Sequence, residues 1–70
     1  MKTIMAPLKE TLRRERRRAG LTQEELAKKA GVGTVTIRRI ETGMIEEPRV
    51  STLRKLAGVL GVQVRDLLED

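Results

Sequence analysis

The chain has 70 residues and contains no cysteine, no histidine and no aromatic residue. A chain of this length forms one small domain, and it lacks both the thiols and imidazoles of most metal sites and the commonest general base. We therefore expect the protein not to be an enzyme and not to bind a metal or a cofactor. The net charge of +5 favours an anionic partner such as nucleic acid or a membrane surface.

Alanine, leucine, arginine, lysine and glutamate dominate the composition, which favours helices over strands. The first predicted helix has Pro7 in its first turn, where proline is well tolerated, and it ends at Gly20. Its apolar stripe comprises Leu8, Leu12 and Ala19, and the charged Arg16 lies on the same stripe. We expect a single domain over residues 1–70, in which residues 1–6 either form a flexible N-terminal arm or contribute to a dimer contact.

The second predicted helix, about nine residues long, has the clearest local signals. Thr22 and Glu25 have the spacing of a capping box, in which each side chain accepts a hydrogen bond from the other residue's backbone. Gly31 is suited to the left-handed conformation that ends a helix. The narrow apolar face consists of Leu26, Ala27 and Ala30.

Residues 31–43 read GVGTVTIRRIETG and predict a third helix over 34–42. Because the turn spans only about three residues, Gly31 to Gly33, the second and third helices must cross steeply, as in a helix-turn-helix. At 100° per residue one face of the third helix carries Ile37, Ile40 and Glu41, and the opposite face carries Val35 and Arg39. A carboxylate thus lies on the face that should be buried, and a valine lies on the solvent face.

The loop MIEEPRV leads to Ser51, which predicts the N-cap of a fourth helix over 52–60. A short fifth helix over 64–69 follows Gly61. The fourth helix has the apolar positions Leu53, Leu56, Ala57 and Leu60. The apolar residues of this half are expected to lie mainly in the core. Because they exceed the needs of a small core, some of them are predicted to form a homodimer contact: Ile45, Val59, Val62, Val64, Leu67 and Leu68.

The segment LTQEELAKKAGVGTVTIRRIETG resembles the phage repressor/Cro-type helix-turn-helix DNA-binding domains, the XRE-like transcriptional regulators. The matching motifs are Thr22-Gln23, Glu25-Leu26-Ala27, Gly31-Val32, Thr36-Ile37 and Glu41-Thr42-Gly43. With PRVSTLRKLAGVLGVQVRDLLE the resemblance extends over residues 8–69. It implies an all-α, compact five-helix domain of the lambda-repressor-like type that binds duplex DNA with its third helix in the major groove.

The resemblance implies that Thr34, Val35 and Arg39 contact bases. Arg39 can donate two hydrogen bonds to guanine, and Val35 can contact a thymine methyl. A solvated helix face with one valine is the alternative interpretation.

The resemblance also implies that Gln23, Arg38 and Arg49 contact the DNA backbone, although each has the alternative of an ordinary surface residue. The arginine run of the first helix is expected to form a solvated face or to meet flanking phosphates; it comprises Arg13, Arg14, Arg17 and Arg18. Glu46 and Glu47 depart from the family pattern because carboxylates repel phosphates. They point away, or Arg49 neutralises one of them, or binding is weaker here.

Arg16 and Glu41 are charges of opposite sign on apolar stripes. An isolated buried charge costs several kcal/mol, whereas a pair avoids most of that penalty. The resemblance implies an ion pair between the first and third helices, so we predict a structural pair that sets the placement of the third helix.

These observations predict a sequence-specific duplex-DNA-binding protein, a transcriptional regulator with repression favoured over activation. We expect a homodimer on a palindromic operator and, with no signal peptide or membrane span, a cytoplasmic location. Two alternatives remain open: an antitoxin that binds a toxin protein, and a protein-interaction or coactivator module on the same fold. Membrane binding is disfavoured because the apolar stripe of the first helix is narrow.

Overall fold

In a computed structural model, residues 7–68 are described, and they form helices and connecting turns. The helices are α1 (Leu8–Arg18), α2 (Gln23–Ala30), α3 (Thr34–Glu41), α4 (Val50–Leu60) and α5 (Val64–Leu68). The all-α, five-helix prediction is therefore confirmed. The predicted arm at residues 1–6 and the predicted helix end at Glu69 lie outside the described residues.

The predicted capping box opens α2. The Glu25 backbone N–H donates to the Thr22 hydroxyl oxygen over 3.0 Å, and the Thr22 backbone N–H donates to the Glu25 carboxylate over 2.8 Å. Gly31 ends the helix with a φ of 70°, a left-handed conformation that costs glycine little. Both ends of α2 are thus determined by local sequence, which fixes the position of the turn into α3.

The predicted N-cap of the fourth helix was wrong. Arg49 is the N-cap of α4, its carbonyl accepts a hydrogen bond from the Leu53 N–H over 3.0 Å, and Ser51 lies inside the first turn. A capping serine contributes only about 1 kcal/mol, and the helix starts instead directly after Arg49, whose backbone is extended. Pro7 is likewise the N-cap of α1 and not a first-turn residue.

The core lies where α1 meets α3 and α5, and where α2 meets α3 and α4. Its buried apolar residues are Leu8, Leu12, Leu26, Ala27, Ala30, Ile37, Ile40, Leu53, Leu56, Ala57 and Leu67. The Thr11 hydroxyl, also buried, donates to the Leu67 carbonyl and so ties α1 to α5. Of the surplus apolar residues predicted for a dimer contact, Leu67 belongs to the core and Leu68 is exposed. The others are partly buried against the core: Ile45, Val59, Val62 and Val64.

The charged residue on the inner face of α3 is bound by α1. Glu41 is 2% exposed, and its two carboxylate oxygens accept hydrogen bonds from Arg16 Nε over 2.6 Å and Arg16 Nη2 over 2.9 Å. Arg16 Nη1 also donates to the Leu21 carbonyl over 2.8 Å. One guanidinium group therefore joins α1, the α1–α2 turn and α3.

Two further side chains complete this cluster, which we call the Glu41 cluster: Arg13, Arg16, Gln23 and Glu41. Gln23 Nε2 donates to the Glu41 carboxylate over 3.1 Å, and Arg13 Nη2 donates to the Glu41 backbone carbonyl over 2.7 Å. Residues of α1 and α2 thus hold the last residue of α3.

The protonation of the pair follows from these contacts. Burial alone would raise the pKa of the Glu41 carboxyl, but the hydrogen bonds from Arg16 and Gln23, with the charges of Arg16 and Arg13, outweigh it. The pKa of Glu41 therefore lies below its ordinary value of 4.5, and the hydrogen bonds to Glu41 raise the pKa of Arg16. Both groups are charged at neutral pH.

We predict that Glu41→Ala lowers the free energy of unfolding at pH 7 by about 3 kcal/mol, because Arg16 loses its partner inside the protein. Because the pKa of Glu41 is lower in the folded than in the unfolded state, its stabilisation is present above pH 4.5 and is lost as the pH falls through the folded-state pKa. The difference in free energy of unfolding between wild type and variant should therefore become smaller in acid. Thermal and denaturant unfolding of both proteins at a series of pH values measures this difference.

The matched control is Glu46→Ala, which removes an exposed glutamate with no ion pair among residues 7–68. Equal melting shifts for the two variants at pH 7 would contradict the prediction.

Candidate nucleic-acid interface

The corner between α2 and α3 is built by three residues. Gly31 reverses the chain, the Val32 N–H donates to the Ala27 carbonyl over 3.0 Å, and Gly33 is the extended N-cap of α3. Val32 packs against the core. Helices α2 and α3 are in direct contact, so the predicted helix-turn-helix is present as a short, anchored corner.

The outer face of α3 carries the predicted contact residues. Val35 is 49% exposed, Arg38 and Arg39 are exposed, and Thr34 in the first turn is half-buried. The ion pairs formed within residues 7–68 involve neither arginine, so both guanidinium groups can bind an external acceptor. The face therefore presents hydrogen-bond donors and one apolar side chain, the chemistry that reads base edges in a major groove.

Gln23 lies at the start of α2, and its side-chain amide can donate two hydrogen bonds. One amide hydrogen goes to the Glu41 carboxylate, whereas the side-chain amide of glutamine carries two hydrogens. The second hydrogen has no partner among the described residues and remains available for a phosphate oxygen. The side chain is half-buried, and its hydrogen bond to Glu41 fixes its position in the absence of a ligand.

The loop after α3 folds back onto that helix. The Ile45 N–H donates to the Arg39 carbonyl over 3.0 Å. A small cleft between α3 and the start of α4 is then lined by Thr36, Ile45, Glu47, Pro48, Arg49 and Thr52. Arg49 is exposed and forms no ion pair within residues 7–68, which leaves its charge beside α3 and free for a phosphate.

The two adjacent glutamates of this loop line different clefts. Glu47 lines the cleft that contains Arg49, whereas Glu46 lines a second cleft together with Pro7, Lys9, Thr42 and Leu68. In the described part of the chain neither forms an ion pair, so neutralisation of one by Arg49 is not observed. Only Glu47 shares a cleft with a predicted phosphate contact.

The arginine run of α1 proves to be partly structural. Arg13 binds the Glu41 carbonyl, and Arg18 Nη2 lies 2.7 Å from the Glu15 carboxylate. We did not predict a role for Arg13 in holding α3. Its spacing of three residues from Arg16 places both on neighbouring faces of α1, but no spacing within α1 identifies Glu41 as a partner.

Residues 7–68 contain no group of three or more acidic side chains placed to hold a metal ion. None of their helices has the length and apolarity needed to cross a lipid bilayer.

Residues 12–67 match the family described as Helix-turn-helix. The chain is 39% identical over 64 residues to an uncharacterised HTH-type transcriptional regulator, RghRB, of Bacillus subtilis, and the match covers 91% of this chain. The chain spans only 46% of the length of that relative.

Solved structures agree with this assignment. The N-terminal DNA-binding domain of SinR from Bacillus subtilis is 32% identical, with a TM-score of 0.87, 90% of this chain and 91% of that chain covered. The P22 c2 repressor in complex with a synthetic operator is 28% identical, with a TM-score of 0.83 and coverage of 90% and 94%. With the family match over residues 12–67, the chain belongs to the helix-turn-helix family, with the DNA-binding fold of XRE-type transcription regulators.

Proposed function

We propose that this protein binds duplex DNA in a sequence-specific way and regulates transcription, with α3 in the major groove. The observation that carries the proposal is the outer face of α3, which is exposed and unpaired while the inner face is locked into the core. Helix α3 has about the width that a major groove admits. A rigid corner with an open basic face is well suited to reading base edges.

Three residues are proposed to contact bases. Arg39 donates two hydrogen bonds to the O6 and N7 atoms of a guanine, and Val35 contacts a thymine methyl group. Thr34, in the first turn of α3, reaches a base edge or a nearby phosphate. Val35 and Arg39 are four residues apart and so lie on one stripe of the helix, which lets them contact neighbouring base pairs.

Three further residues are proposed to hold the DNA backbone: Gln23, Arg38 and Arg49. Their charges and donors lie at the start of α2, on the flank of α3 and at the start of α4. Contacts from three separate elements fix the orientation of α3 in the groove without reading sequence.

The protein is proposed to act as a homodimer on a palindromic operator, and as a repressor rather than an activator. Val50 and Leu68 are exposed apolar residues, 58% and 46% accessible, and they offer surface for a second copy. No feature of the site favours the antitoxin or the protein-interaction alternative. The cytoplasmic location stays a prediction.

The decisive experiment selects bound sequences from random duplex DNA with the full chain and then titrates salt. We expect a near-palindromic consensus whose half-sites are about one helical turn apart, bound with an affinity that falls steeply with salt. Absence of a consensus at every salt concentration would contradict DNA reading and favour a protein-interaction module. A single half-site would contradict the homodimer.

Arg39→Ala and Arg49→Ala should have different effects on binding. Arg39→Ala should relax preference at one position of each half-site and cost about 1–3 kcal/mol there, because a bidentate base contact is lost. Arg49→Ala should weaken all sequences alike and reduce the salt slope by about one, because a phosphate contact is lost. Competition binding with single-base variants of the consensus measures both effects.

Each variant serves as the control for the other, since both remove one exposed arginine. A uniform loss of affinity from Arg39→Ala, or a position-specific loss from Arg49→Ala, would contradict the assigned roles.

Glu47→Gln should raise the affinity for any duplex about threefold at low salt, because it removes a negative charge beside the phosphate-binding Arg49. The adjacent Glu46→Gln removes the same charge from the cleft that contains Lys9 and should have a smaller effect. Equal effects from the two variants, measured by the same binding titration, would contradict a distinct position for Glu47.

A further inference from the structure

The arginine run of α1 contains a side chain that faces the protein and not the solvent. The Arg13 side chain is 39% exposed, its Nη2 donates to the Glu41 backbone carbonyl over 2.7 Å, and its Nε lies 4.0 Å from a Glu41 carboxylate oxygen. Arg16, three residues later, binds the carboxylate itself. Two neighbouring arginines therefore hold the backbone and the side chain of one residue.

The backbone contact has a distinct physical effect. Glu41 is the last residue of α3, and the last four carbonyls of a helix have no partner within it and carry the negative end of its dipole. A guanidinium group at this carbonyl supplies the missing donor and opposes the dipole. Arg13 thereby stabilises the last turn of α3 at its backbone.

The ion pair with Arg16 alone would hold α3 less firmly. The Glu41 carboxylate is separated from its backbone by rotatable side-chain bonds, so the backbone could shift while the carboxylate stayed paired. The Arg13 contact acts on the backbone directly and removes that freedom. The two contacts together fix both the rotation and the axial position of α3 against α1.

We propose that Arg13 is a positioning residue for DNA recognition: it sets the placement of α3 so that Thr34, Val35 and Arg39 meet their base edges together. This inference rests on the proposed function. Base readout requires donors and acceptors to be placed to a fraction of an ångström, so an error at the end of α3 acts on all three residues. Arg13 acts on specificity without touching DNA.

The test compares three variants of the full chain. Arg13→Met removes the donors and keeps the aliphatic stem, Arg13→Lys keeps one cationic donor, and Arg17→Met is the matched control. Arg17 is an exposed arginine of the same helix and has no side-chain partner among residues 7–68. The readouts are amide hydrogen exchange at Thr42, Gly43 and Ile45, and binding of the selected and a scrambled duplex across a salt series.

We expect Arg13→Met to speed exchange at these amides about fivefold, the scale of one intramolecular hydrogen bond. We also expect about fivefold weaker binding of the selected duplex with an unchanged salt slope, because no phosphate contact is lost. Arg13→Lys should restore most of both properties, and Arg17→Met should leave exchange unchanged. Since the exchange arm needs no DNA, it tests the role of Arg13 even if the chain selects no sequence.

Two results would overturn the inference. Unchanged exchange in Arg13→Met would show that the contact does not hold the end of α3. A salt slope reduced by about one, with equal weakening of selected and scrambled duplexes, would make Arg13 a phosphate contact instead. If Arg13→Met fails to fold, Arg13→Lys decides the question. Faster exchange at these amides with wild-type binding of the selected duplex would also overturn the inference, because the end of α3 would then loosen without an effect on recognition.

Discussion

A buried carboxylate determines how the helices of this small domain meet. Glu41 is tolerable inside the core only because Arg16 and Gln23 donate to its oxygens while Arg13 binds its backbone carbonyl. The rest of the core is aliphatic and imposes few directional constraints. A network of hydrogen bonds is directional, so it can select one placement of α3 where leucine and isoleucine packing would accept several. We regard this selectivity, and not net stability, as the role of the pair.

The parts of the fold that follow from local chemistry were predictable. The capping box, Gly31 and the 3.6-residue period of α3 each depend on residues within one turn of one another. The start of α4 was mispredicted because the capping preference of Ser51 is weak beside the geometry of the preceding loop. The role of Arg13 was missed because it depends on a contact across 28 residues, which periodicity within one helix does not reveal.

The candidate site divides in the same way. The exposed face of α3 was predictable from the helical period of its apolar and polar positions. The helix-turn-helix family was predictable from motifs spread over the chain. The separation of Glu46 from Glu47 could not be predicted, since neighbouring loop residues have no fixed angular relation outside regular structure. The preferred DNA sequence could not be predicted, because it depends on the geometry of the complex and therefore on the DNA as well as on the protein.

Helix α3 is eight residues long, and its inner and outer faces are under different structural constraints. Ile37, Ile40 and Glu41 are buried in the core, whereas the Val35 side chain is exposed and the Arg39 side chain forms no hydrogen bond or ion pair within residues 7–68. Substitutions on the outer face therefore cost the fold almost nothing. Under the proposed function, such substitutions would change the target sequence one outer residue at a time, while the buried carboxylate keeps the placement of α3 unchanged.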